Sequence, residues 1–121
     1  MKAISVRQPW AWSIIHAGKN IENRTWPTTY RGPILIHAAN AMTVKELRTW
    51  WQFVELMKLC KPADYVDDRG GIIGSVDLVD CVTAHKSPWF FGPYGFVLAN
   101  PEPLPFNPCK GRLGIYDTGN T

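Results

Sequence analysis

The sequence predicts an α+β fold that is mainly β: a small, curved, closed or nearly closed barrel with a short N-terminal helix and one longer inserted helix. Three observations predict it. Five or six segments are short, apolar and β-branched or alternating; only two carry helical periodicity; and Gly or Pro marks the bends between them. A doubly wound parallel sheet would need more helices alternating with its strands. At 121 residues and 45% hydrophobic, residues 1–121 fit a single domain with a core of its own.

Along the chain, residues 3–6, AISV, read as a short strand. RQPWAWSIIHAGK reads as a helix beginning at Pro9, because proline suits the first helical turn. Trp10, Ile14 and Ala17 recur at helical spacing, Trp10 and Ile14 are expected to turn inward, and Gly18 supplies a left-handed stop. Residues 20–24 alternate, with Ile21 on one face and Glu22 and Arg24 on the other, while Lys19 sits at the turn within reach of that polar face. After a loop set by Pro27, Gly32 and Pro33, with Trp26 and Tyr30 free to line a cleft, residues 34–38 form a buried β-branched strand. Thr43 and Glu46 form a capping box for a helix over 43–60, whose apolar face is Leu47, Trp50, Val54 and Met57 and which Pro62 stops. Residues 72–82 form a long strand bent at Gly74. Strands over 94–99 and 111–116 close the fold, separated by the Pro-rich PEPLPFNP.

Charge is unevenly spread. The whole chain carries +3, but residues 1–40 hold Lys2, Arg7, Lys19, Arg24 and Arg31 against Glu22 alone. The same third contains Trp10, Trp12, Trp26 and Tyr30, and cations interleaved with aromatic faces suit phosphates and stacked bases. The plainer account is a Trp-rich core beneath solvated basic residues. Cys60, Cys81 and Cys109 are widely spaced and form no zinc-type pair, so they are expected to be reduced thiols, with no metal and no cofactor. Neither a signal peptide nor a membrane span is legible, and the expected location is cytoplasmic.

No Gly-rich phosphate loop comes after a strand, and no serine stands in a nucleophile elbow. The chemistry-bearing cluster is Lys19, Glu22 and Arg24. A carboxylate can accept from a nucleobase amine, an arginine can grip a phosphate or a base edge, and a buried lysine can serve as a base or stabilise an oxyanion. The alternative is an exposed ion pair worth about 0–1 kcal/mol.

The stretch SVRQPWAWSIIHAGKNIENRTWPTTYRGPILIHAA resembles the ASCH domain family, whose hallmark is a G-x-K-x-x-E-x-R type signature after the first helix. Here the signature reads Gly18, Lys19, Glu22 and Arg24, with the glycine directly before the lysine. Trp26, Pro27, Arg31, Gly32 and the IHA strand at 36–38 are similar to the family's tryptophan-proline loop, Arg-Gly turn and next strand, and GPYGFVLANPEPLP and KGRLGIY resemble its closing strands. The resemblance implies a PUA-like β-barrel with a cleft beside the first helix, and a family presumed to bind RNA or another nucleic acid. Some small relatives hydrolyse N4-acetylcytidine through a K-x-x-T arrangement, and others are linked to RNA cleavage. This chain has Glu22 where that threonine would stand, and a carboxylate beside Lys19 favours the ammonium form over a base.

Two readings therefore stand. The first is a module that binds RNA, single-stranded nucleic acid or a modified nucleoside in a polar cleft, with Arg7, Gln8, Trp10, Lys19, Glu22, Arg24, Trp26 and Arg31 as its binding residues. The alternative is a small metal-independent hydrolase, an amidohydrolase or a ribonuclease, with Lys19 and Glu22 as its catalytic residues. A protein-interaction domain whose basic face is incidental is the third and blandest account.

Overall fold

A computed structural model describes residues 1–119. Strand β1 (Lys2–Val6) leads into helix α1 (Trp10–His16), then β2 (Ile21–Arg24), β3 (Gly32–Ala38), helix α2 (Val44–Leu56), a 3-10 turn (Pro62–Asp64), β4 (Gly71–Val82), β5 (Tyr94–Pro108) and β6 (Ile115–Asp117). The strands make one six-stranded sheet in the order β2-β5-β4-β3-β1-β6. Among the described residues only the β1–β3 pair is parallel. The sheet curls into a half-barrel, in line with the mainly β, PUA-like architecture expected from the sequence.

α1 is the plug of this half-barrel. Ala11, Trp12, Ser13, Ile14 and Ile15 are all buried, so the helix is enclosed on every side rather than along a single stripe. Ile14 and Ile15 face a core built from Ile4, Val6, Ile34, Ile36, Val76, Leu78, Phe96 and Leu98. Trp12 faces a second core with Ile21, Trp50, Val54 and Trp89. Pro9 occupies the N-cap rather than the first helical position, and the buried Gln8 side chain satisfies a first-turn donor by accepting from Trp12 N–H at 2.8 Å. Trp10 packs against both cores, as its spacing suggests, but stays half-buried at the open side of the barrel.

α2 begins where the capping box places it: Thr43 Oγ1 accepts from Glu46 N–H and the Glu46 carboxylate accepts from Thr43 N–H, each at 3.1 Å. It ends at Leu56, short of residue 60, because Lys58 turns left-handed at φ 55° and Leu59 N–H bonds back to the Val54 carbonyl at 2.9 Å. Met57 thereby leaves the apolar face and is exposed.

Strand β3 begins at Gly32, two residues before the expected 34, and two other strand boundaries differ more widely from the sequence reading. β5 runs on through the Pro-rich segment to Pro108, because past Val97 it no longer pairs with β2 and keeps β4 as a neighbour. Prolines at alternate positions 101, 103 and 105 withdraw donors from one side of a strand, which a strand paired on one side tolerates. β6 covers only Ile115–Asp117 instead of 111–116, since residues 109–114 form a loop across the sheet. There His37 Nε2 donates to the Cys109 carbonyl at 2.8 Å, and Ser5 Oγ lies 3.1 Å from His37 Nδ1. The bend expected at Gly74 coincides with a break in β4–β5 register, and a Cβ there would stand 2.6 Å from both the Glu102 carbonyl and Ile15 Cδ1. Glycine is therefore what lets α1 seat against the sheet.

Candidate ligand-binding site

The half-barrel does not close between β2 and β1, and the candidate site is that seam. β2 is an edge strand, while β6 covers β1 only as far as Ile4, so backbone carbonyls on both sides of the gap lack strand partners. The signature side chains supply what strands do not. Lys19 Nζ donates to the Ile21 carbonyl on β2, and Arg24 Nη2 reaches across to the Ser5 carbonyl on β1 at 2.7 Å. Between the two cations lies Glu22, with Oε1 3.4 Å from Lys19 Nζ and Oε2 accepting from Arg24 Nε at 3.0 Å. Glu22 and Arg24 share a face because they are two apart on one strand; Lys19 joins them because Gly18, at φ 71°, turns the chain off the end of α1 and Lys19 N–H is tied to the Ser13 carbonyl.

Burial separates this cluster from a surface ion pair. Lys19 is 3% and Glu22 9% exposed. The Lys19 ammonium lies 5.9 Å from the ring centres of both Trp10 and Trp89, whose planes meet edge to face. Desolvation in this recess lowers the Lys19 pKa below 10.5, outweighing the upward pull of Glu22, while Arg24 adds a smaller downward push. Glu22 thus favours the ammonium, as the sequence suggests, while burial sets the net direction.

This shift has a stability consequence of definite sign. Between the lowered folded pKa and 10.5 the unfolded chain binds a proton that the folded one does not, so this group's contribution to stability rises with pH across that window. It is level outside the window. Denaturant titrations of the native protein and of Lys19→Met at several alkaline pH values should give a difference that climbs toward pH 10.5; a flat difference would show that Lys19 keeps an ordinary proton affinity.

A cleft of about 490 Å³ opens over the cluster, within the range of small-molecule sites. Lys19, Glu22 and Arg24 form its polar floor, and Trp10 and Arg7 lie on its walls. The other residues expected here are elsewhere. Gln8 is fully buried and spends its amide on Trp12 N–H and on the Asp68 carbonyl at 2.7 Å. Trp26 packs edge-on against Phe96 at 5.2 Å, joining the first core. Arg31 lies exposed and pairs with Asp80 at 3.7 Å. Arg7 is itself engaged: its guanidinium forks onto Glu46 of α2, and that contact holds the Glu46 carboxyl at about 2. The basic excess of residues 1–40 therefore does not persist as an unpaired face, because acids from later in the chain come to meet it.

Ser5, Val6, Asn23, Thr49 and Phe91 also line the cleft and are not among the residues expected there. Asn23 sits inside the signature stretch, and Phe91 stands in an aromatic run before Gly-Pro, where a loop is free to present it; Ser5, Val6 and Thr49 carry no such signal. Among the described residues no group of three or more His, Cys, Asp or Glu side chains is placed to hold a metal ion, and no helix is long and apolar enough to cross a membrane.

Comparison with known proteins agrees with the fold. Residues 4–102 match the model of the ASCH domain. Activating signal cointegrator 1 of Homo sapiens is 29% identical over 126 aligned positions, which cover 93% of this chain and 21% of that protein. The protein of the same name from Mus musculus is 28% identical with the same coverage. The chain thus spans 21% of the length of these curated relatives.

Proposed function

We propose, from the premise that this chain belongs to the ASCH domain family, that its seam cleft binds a nucleobase presented by RNA or by a modified nucleoside. The observation that carries this reading is the uncommitted edge of Arg24. Its Nε and Nη2 are spent on Glu22 and on the Ser5 carbonyl, whereas Nη1 makes no hydrogen bond among the described residues, and the side chain lines the cleft. Two N–H groups held at a fixed angle beside an indole wall suit a planar ligand with carbonyl or ring-nitrogen acceptors. Glu22, set between two cations, keeps lone pairs for an amine on the same ligand.

The test is a titration of the intact protein with cytidine, N4-acetylcytidine and a short single-stranded RNA, read by the fluorescence of Trp10 and Trp89 at the site. Arg24→Lys keeps a cation beside Glu22 but loses the free edge, and should weaken binding by about tenfold or more. If no probe binds, or if Arg24→Lys binds as the native protein does, the reading is wrong.

The lowered proton affinity of Lys19 favours a second reading, hydrolysis of the bound nucleoside or RNA. A lysine in this state gives up its proton more readily and can then serve as a base, with Glu22 holding it in place. Turnover of N4-acetylcytidine or of RNA, assayed separately from retention of the complex, distinguishes the two.

A further inference from the structure

The geometry points to Phe91 as the stacking platform for the bound base, and to Asn23 as the residue that positions it; this inference rests on the cleft reading above. An exposed aromatic by itself is ordinary, since most protein surfaces carry scattered apolar side chains. Phe91, 61% exposed, differs in how its backbone is held. The Asn23 Oδ1 atom accepts from Phe91 N–H at 2.8 Å and from Gly92 N–H at 2.9 Å, while Asn23 Nδ2 donates to the Trp89 carbonyl at 3.0 Å. One side chain thus clamps three links of a loop that has no strand partners of its own.

The other end of that loop is held from the same stretch of sequence. Ser87 Oγ donates to Asn20 Oδ1 at 2.6 Å. Both asparagines of GKNIENR therefore fix residues 87–92 over the strand whose Glu22 and Arg24 form the cleft floor. A loop needed only to connect β4 to β5 would not require this attachment at the point where it leaves a phenylalanine in solvent. Phe53 packs on Phe91 at 5.5 Å and 61°, bracing the ring while leaving it exposed at the cleft. Stacking on such a ring tolerates different bases, because every base has a π-face.

The consequence is a division of labour. The floor reads polar atoms, and Phe91 supplies sequence-tolerant affinity that does not depend on charge. In titrations with cytidine and with a short single-stranded RNA, Phe91→Ala should lose about tenfold or more in affinity for both, by a factor unchanged between low and high salt. Phe91→Tyr should restore binding. Asn23→Ala should lose a similar factor, and the Asn23→Ala/Phe91→Ala pair should be no weaker than Phe91→Ala alone, because Asn23 acts through the ring. Near-native binding by Phe91→Ala overturns the inference, as does failure of Phe91→Tyr or simple additivity of the pair. If the native protein binds neither probe, the cleft reading falls and this inference with it; if it binds and Phe91→Ala is indifferent, the inference alone falls.

Discussion

Glu22→Ala is expected to destabilise the fold by about 3 kcal/mol, at the lower end of what breaking a buried ion pair costs. The substitution leaves Lys19, 3% exposed, without its carboxylate and removes the group that orients Arg24 toward the seam. The lower figure is appropriate because the Arg24 side chain keeps 21% of its surface in water and can be partly rehydrated. Urea unfolding, read as a fall in midpoint at unchanged slope, measures it. A loss well under about 1 kcal/mol would assign the cluster to the solvated ion pairs that contribute little. Glu22→Gln should be milder, since the amide oxygen can still accept from one of the two cations.

Trp50→Ala should cost about 3–5 kcal/mol, the range for deleting a large buried aromatic. Trp50 is fully buried and lies 5.9 Å from Trp12 and 5.4 Å from Tyr65. Its indole Nε1 donates to Ser13 Oγ at 2.7 Å, the one described side-chain hydrogen bond joining α2 to α1. Trp50→Phe separates the two contributions: it keeps most of the apolar volume but leaves Ser13 without its donor, at an expected cost of about 1–2 kcal/mol. Equal losses for Phe and Ala would mean that the hydrogen bond, rather than the packing, carries the residue. Because Trp50 shares its core with Trp89 and α1, a measured loss of ligand binding by Trp50→Ala must be judged on protein shown to be folded.

The mainly β architecture was legible because its signals are local. β-branched runs, a capping box at Thr43 and Glu46, and a left-handed stop at Gly18 each act within a few residues of chain. The convergence of Lys19, Glu22 and Arg24 was legible for the same reason: strand alternation places two of them on one face, and the adjacent turn carries the third. The Pro-rich end of β5 was not legible, because proline argues against a paired strand unless that strand has an edge, and edges are a property of the sheet. Gln8 and Arg31 share with the cleft only residue type and proximity in sequence, and Trp26 reaches it only from behind, with its ring centre 5.9 Å from the Arg24 guanidinium. Besides local contacts, each is drawn away by a partner far along the chain: Asp68, Phe96 and Asp80.

What the sequence by itself determined is the set of elements and the polar cluster on β2, since propensity, capping and alternation are short-range. What only the tertiary structure decided is the condition of that cluster. A lysine in a short helix-to-strand turn is ordinarily hydrated; this one loses its water because Trp10 and Trp89, far apart in the chain, close around it. Likewise the basic excess of the first forty residues is real as a count, yet Glu46 and Asp80 return to Arg7 and Arg31 and cancel much of it as a field. Coulomb forces and desolvation act through space, so the charge a ligand meets depends on which distant groups the fold brings alongside.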